Sequence, residues 1–181
     1  MPLNLYHNSI MDKERFFKPG QGSGDDGFTD LLGGRRVSKT NADIKLNAVL
    51  DDLNANLGLL RAELFKNREK NIENCSFSDE IEQIQRIILK ISAKNAGMDI
   101  DISKETALIV QKTKELNRKA VPPKEFIIPG DNMAEALAHV CRTKTRLCEI
   151  AAWEAQKKDS AKILNRLSDY LFIIAVALRK V

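Results

Sequence analysis

ADIKLNAVLDDLNANLGLLRAELFKNR, residues 42–68, is the stretch whose reading decides the fold. Leu46, Leu50, Leu53, Leu57, Leu60 and Leu64 recur at steps of three and four residues. On a helix of 3.6 residues per turn that spacing gathers them into one apolar stripe suited to packing. Asn41 or Thr40 stands just ahead with a side-chain oxygen able to cap it. Downstream the pattern returns. Residues 78–96 carry Ile81, Ile84, Ile88 and Ile91, with Ser78 or Asp79 as the expected start and Gly97 as the stop. A third helix is expected over 103–118, ended before Pro122 and Pro123. The linker VPPKEFIIPGD (121–131) then leads into a helix over about 132–155. A last helix over about 159–178 aligns Leu164, Leu167, Leu171, Ile174 and Leu178. No β-rich segment of comparable strength stands beside them. Five helices with short connections predict an all-α fold, a five-helix bundle.

Upstream of the leucines the chain changes character. Residues 1–20 show no sustained periodicity and are expected to form an irregular arm, leaving 21–181 as the helical domain. Within 21–40, QGSGDDGFTDLLGGRRVSKT holds five of the nine glycines, mixed with Ser, Thr and Asp, a composition that permits unusual backbone angles. At 181 residues the chain is of single-domain length and buries enough surface to fold without a metal or disulfide. Cys75, Cys141 and Cys148 form an odd set, which argues for a reducing, cytoplasmic setting. No secretory leader pattern and no run of about 18 apolar residues is present, so no membrane span is expected. The 29 Lys and Arg against 25 Asp and Glu leave a net charge of +4 without the dense basic stripe of a nucleic-acid binder, so no nucleic-acid partner is expected.

Polar residues on the apolar helices carry more information. Arg142, Arg146, Glu149 and Trp153 fall on one face of the fourth helix, Asn165, Asp169 and Phe172 line the fifth, and Asp51, Asn54, Gly58 and Arg61 line the first. Each row reads either as a solvated face with surface ion pairs or as a site where paired arginines hold an anion. The glycine-rich head supports two readings likewise. It is an ordinary loop, or its clustered N–H groups curl around phosphate oxygens, with Asp25 or Asp26 toward a metal and Thr29 or Ser23 adding hydroxyl contacts. It matches neither G-x-x-x-x-G-K-[ST] nor G-x-G-x-x-G after a strand. His139 reads as a packing residue, and Cys141 and Cys148, seven apart, as buried thiols rather than zinc ligands.

Four blocks, GDDGFTDLLGGRRVSK (24–39), LDDLNANLG (50–58), FIIPGDNMAEALAHVCRTKTRLCE (126–149) and ILNRLSDYLF (163–172), resemble in order and spacing the PduO-type ATP:corrinoid adenosyltransferases. The resemblance implies a five-helix bundle assembled as a homotrimer with active sites at subunit interfaces. It further implies transfer of the 5′-deoxyadenosyl group of ATP to cob(I)alamin, giving adenosylcobalamin and triphosphate, with magnesium accompanying ATP. The product would pass to an adenosylcobalamin-dependent enzyme.

The site implications follow from matched positions. Gly24, Asp25, Gly27 and Thr29 match the head that folds over ATP, and Lys39 the lysine that closes it. Asp51 matches an aspartate that pairs with an arginine, here Arg142. Arg146 matches a phosphate-contacting arginine, and Glu149 and Asn165 match residues shaping the ATP and interface region. Phe126 matches the phenylalanine beneath the corrin ring that helps remove its lower ligand. No metal ligand set follows from the residues themselves. Departures are specific. Gln21, Gly22 and Ser23 stand where a Thr-Lys-Thr-like run is usual, Leu147 replaces a common arginine, and the proline loop reads PGD rather than PGG. The last helix continues past Phe172 as IIAVALRKV, where an Arg and Asn are often found. Lost positive charge is the motive for the alternative expectation, a diverged carrier or regulatory module that binds ATP or corrinoid without turnover.

Overall fold

The leucine stripe forms helix α1, Ala42–Lys66, and all six leucines are fully buried. Asn41 caps it, its side-chain oxygen accepting from the N–H of Asp43 at 2.9 Å. The computed structural model describes residues 24–31, 34–66, 72–121 and 123–179. The arm expected over 1–20, and residues 21–23 with Ser23, lie outside them. The described chain divides into two compact units, Met1–Lys39 and Thr40–Val181.

Helix α2, Ile72–Asn95, begins earlier than its apolar spacing suggested. Ser78, expected near the start, is buried inside the helix. Serine and aspartate favour caps, but they are tolerated in helix interiors when the helix packs. The stop is as expected. Gly97 adopts a φ of 110°. The N–H of Gly97 bonds to Lys94 and that of Met98 to Ala93, both at 3.1 Å, satisfying the terminal carbonyls through a left-handed residue that favours glycine.

Helix α3, Ser103–Lys119, buries Ile109 and exposes most of its surface. Helix α4, Met133–Glu154, starts at Asn132, whose side chain accepts from the N–H of Glu135. Helix α5, Lys158–Leu178, is the most deeply buried element, with apolar residues facing several neighbours. It packs against α4, α3 and, over a short stretch, α2, while α1 packs against both α4 and α2. The apolar core runs along these seams, and Asp52 to Lys144 ties α1 to α4 at the surface. The expected all-α five-helix bundle is therefore present. Among the described residues no helix is long and apolar enough to cross a membrane.

The head unit adds a small hairpin that periodicity did not reveal. Strands β1, Phe28–Asp30, and β2, Arg36–Ser38, pair antiparallel with Thr29 opposite Val37. Three residues are too few to show an alternating pattern.

Candidate functional site

In the head unit, Gly27 has a φ of 82°, which turns the chain into β1, and its carbonyl accepts from the N–H of Lys39 at 2.9 Å. A Cβ at Gly24 would lie 3.0 Å from Lys39 Nζ, so the lysine side chain crosses directly over that glycine. Gly24, Gly27 and Lys39 are thereby brought together. Thr29 sits in β1 at the central pair of the hairpin. The two adjacent aspartates differ. Asp26 accepts from Arg36 at 2.6 Å and from the N–H of Phe28 at 3.1 Å, and the arginine, aided by that N–H, lowers its pKa. Asp25 is exposed with no such partner among the described residues.

In the bundle unit, the three polar rows separate by use. On α1, Arg61 pairs with Glu82, and Gln85 donates to the carbonyl of Asn54 at 3.2 Å. Gly58 lies beside Gln85, where an added Cβ would meet its amide at 3.5 Å. This row is the α1–α2 packing seam, not a ligand face. Asp51 alone remains exposed, and among the described residues no ion pair joins it to Arg142.

The rows on α4 and α5 meet. His139 packs edge-on against Phe172 with ring centroids 6.2 Å apart. The two helices run antiparallel through a short turn, so three residues onward on α4 and three back on α5 set Arg142 level with Asp169. One turn further, Arg146 falls level with Asn165. Arg142 Nε donates to His139 Nδ1 at 3.3 Å. Arg146 is exposed and has no ion-pair or hydrogen-bond partner among the described residues. Glu149 accepts from Trp153 Nε1 at 3.4 Å, and Asp169 pairs with Arg166 at 3.3 Å. An unpartnered guanidinium beside partly buried polar groups suits an anionic ligand, because Arg presents a planar fork matched to phosphate oxygens.

Phe126 stands apart from these residues. It is fully exposed on the α3–α4 connection, beside a cavity of about 750 Å³ bordered by Phe77, Leu116 and Val176. Cys141 and Cys148 are buried, and burial pushes both thiols up to about 12, so they are neutral packing groups. Among the described residues no three His, Cys, Asp or Glu side chains gather as a metal cage.

Sequence reasoning passed over Glu135. It is buried at 0% exposure, with Oε2 accepting from the N–H of Gly130 at 2.7 Å and Oε1 3.2 Å from His139 Nε2. Its offsets of four from His139 and seven from Arg142 are the signal that places all three on one face.

Fold and face together define a class: a five-helix bundle presenting arginines of α4 beside polar side chains of α5. The chain belongs to the cobalamin adenosyltransferase family, whose model matches residues 21–178. A cobalamin adenosyltransferase of Cupriavidus metallidurans is 32% identical over 180 residues, covering 92% of this chain and 90% of that protein. A corrinoid adenosyltransferase of Citrobacter freundii is 28% identical over 166 residues, covering 84% and 90%. Among solved structures, a variant of the PduO-type ATP:corrinoid adenosyltransferase of Lactobacillus reuteri, complexed with cobalamin and ATP, matches with a TM-score of 0.79. That match covers 90% of this chain and 91% of the other at 23% identity, a likeness of fold.

Proposed function

We propose that this chain is an ATP:cob(I)alamin adenosyltransferase. The cobalt(I) lone pair of the substrate attacks C5′ of ATP, the C5′–O bond breaks, and triphosphate leaves with the bonding electrons. The metal centre is the nucleophile, so no general base is required. The protein's tasks are to hold two substrates at reactive distance and to offset charge on the leaving group. The observation that carries the reading is Arg146: a guanidinium on α4 without a partner among the described residues, level with Asn165, inside the block that matches the family.

Each remaining residue has a proposed part. Gly24, Gly27, Thr29 and Lys39 cradle the phosphates, Lys39 supplying charge. Asp51 pairs with Arg142 across a subunit boundary, Glu149 and Asn165 shape the nucleotide side, and Phe126 covers the lower face of the corrin. Magnesium fits as an ion carried on the triphosphate, since the described residues offer no cage and such ions keep few protein ligands. Asp25 is the head carboxylate free to meet it, because Asp26 is engaged by Arg36. There the ion would neutralise charge developing on the leaving oxygens.

Exposed Val140, Leu147, Ile150 and Trp153 on α4 support a homotrimer whose sites lie between subunits, since adjacent exposed apolar side chains of this kind usually mark contact surfaces. The helical domain is taken as 21–181 with 1–20 as an arm, and the enzyme as cytoplasmic, handing adenosylcobalamin to a dependent enzyme. The test is direct: reduced cobalamin, ATP and magnesium with purified protein should yield adenosylcobalamin and triphosphate. Binding of both substrates without product would overturn the reading.

A further inference from the structure

Three side chains on α4 join two parts of the proposed site that lie in different places. At one end, Arg142 Nε donates to His139 Nδ1 at 3.3 Å. That hydrogen bond leaves Nδ1 without a proton and assigns the ring proton to Nε2. Nε2 faces Glu135 Oε1 at 3.2 Å. The other carboxylate oxygen, Oε2, accepts from the N–H of Gly130 at 2.7 Å, in the connection that carries Phe126 four residues earlier. The chain therefore runs Arg142, His139, Glu135, Gly130, entirely within the bundle unit.

Its members are unusual choices for packing alone. Glu135 is 0% exposed and His139 is 4% exposed, and burying a carboxylate is costly unless its oxygens find donors. The start of α4 does not need that carboxylate. Asn132 already caps the helix through the N–H of Glu135, and its amide donates to the carbonyl of Leu178 at 2.8 Å. Asp131 adds an ion pair to Arg179. The Nε2 to Oε1 approach is at hydrogen-bond distance but out of line, so both atoms lack an aligned partner. Rotating the imidazole to align that end would move Nδ1, and with it the guanidinium of Arg142. Phe172, packed against the ring, limits how far it can turn.

We infer that Glu135 and His139 are positioning residues that couple the setting of Arg142 to the setting of the 126–131 connection, so that nucleotide engaged on the α4 face adjusts Phe126 on the corrinoid side. The inference rests on the adenosyltransferase reading. It goes beyond it in assigning the link between the two substrates to two side chains that touch neither. Coupling of this kind requires a physical element both sites bias, and the two hydrogen bonds joined through the buried His139–Glu135 contact are that element.

The test uses full-length protein with cob(II)alamin, following by absorption the loss of the lower cobalt ligand when magnesium-ATP is added. His139→Phe keeps a ring against Phe172 but removes both nitrogens. Glu135→Gln keeps an acceptor for Gly130 but turns an N–H₂ toward the protonated Nε2. Each variant should bind ATP alone and cob(II)alamin alone within about threefold of the parent. The ATP-dependent spectral change should fall about tenfold, and kcat with it, while KM for each substrate moves little. His139→Gln, which retains an acceptor and a donor, should recover part of the response. Parental responses in both variants would overturn the inference alone. So would equal losses of both separate affinities together with thermal stability, the pattern of a purely structural role. A parent without any spectral response or product would overturn the adenosyltransferase reading and this inference with it.

Discussion

Arg142 and Arg146 stand one helical turn apart, yet their guanidinium groups are in different situations. Arg142 is partly buried and docked on His139, whereas Arg146 is exposed without a partner among the described residues. Removing Arg146 therefore takes away nothing the bundle uses. Arg146→Ala should leave the thermal midpoint within about 1 °C of the parent, as surface changes usually do. It should lower kcat/KM for ATP about 10- to 100-fold, the loss expected for one charge-assisted hydrogen bond of about 1.5–3 kcal/mol. Steady-state kinetics with differential scanning calorimetry would separate the two effects. Gly27 offers the opposite kind of residue-scale argument. Nothing lies within 4 Å of a Cβ built there, so space is not the constraint, but its φ of 82° is. Gly27→Ala should cost about 1 kcal/mol of backbone strain in the hairpin. If the head closes over nucleotide, calorimetry should register about a fivefold weaker ATP dissociation constant.

At the scale of elements, α1 divides its leucines sharply. Leu57 is fully buried in the seam with its neighbours, while Leu59, two residues on, is 58% exposed. Leu57→Ala should destabilise the protein by about 2–5 kcal/mol, since the cavity left in a packed core adds to the lost transfer energy. Leu59→Ala should stay within about 0.5 kcal/mol. Urea unfolding of both would show whether the stripe is the core it forms here. The contrast also explains what the sequence made legible. Stripes of Leu and Ile report burial through spacing, so five helices could be read from Leu46 to Leu178. The beginning of α2 could not, because Ser78 and Asp79 have the chemistry of a cap while the helix continues through them. The α1 row of Asn54, Gly58 and Arg61 read either as a solvated face or as an anion site, yet α2 covers it, and polar residues in a seam share the spacing of both. That Arg142 and Arg146 share a face of α4 was legible from their offset of four, and the antiparallel run of α4 and α5 fixes their height against Asp169 and Asn165. The hydrogen bonds of Glu135 were not, because the turn at Gly130 brings its N–H to the carboxylate by loop geometry that no periodicity encodes.

For the whole molecule, the groups that take up protons on the acid side of neutrality pull in one direction. Burial, the largest influence, holds His139 below its ordinary pKa; Arg142 and Arg179 add to this while Glu135 opposes it. Several carboxylates are also held low. Arg86 and Arg61 lower Glu82, the N–H and hydroxyl of Ser103 lower Asp101, and in Glu105 burial, the largest influence, pushes upward but the hydrogen bond and charge of Lys90 together with its own backbone N–H outweigh it. In each case the unfolded chain takes up a proton at a higher pH than the native one, so stability must fall as pH falls. The windows differ. An unfolded histidine titrates near about 6.5 and unfolded carboxylates near about 4. The midpoint of urea unfolding should therefore be flat between about pH 7 and pH 8, and decline above about pH 8.5, where the unfolded thiols ionise but buried Cys141 and Cys148, held up to about 12, do not. It should decline once below about pH 6.5 and more steeply below about pH 4.5. His139→Gln removes the titrating ring while keeping polar contacts, so it should flatten the first decline and leave the second. A variant that kept the upper decline would mean another group binds that proton, and that burial of His139 between Glu135 and Arg142 does not set the acid response of the fold.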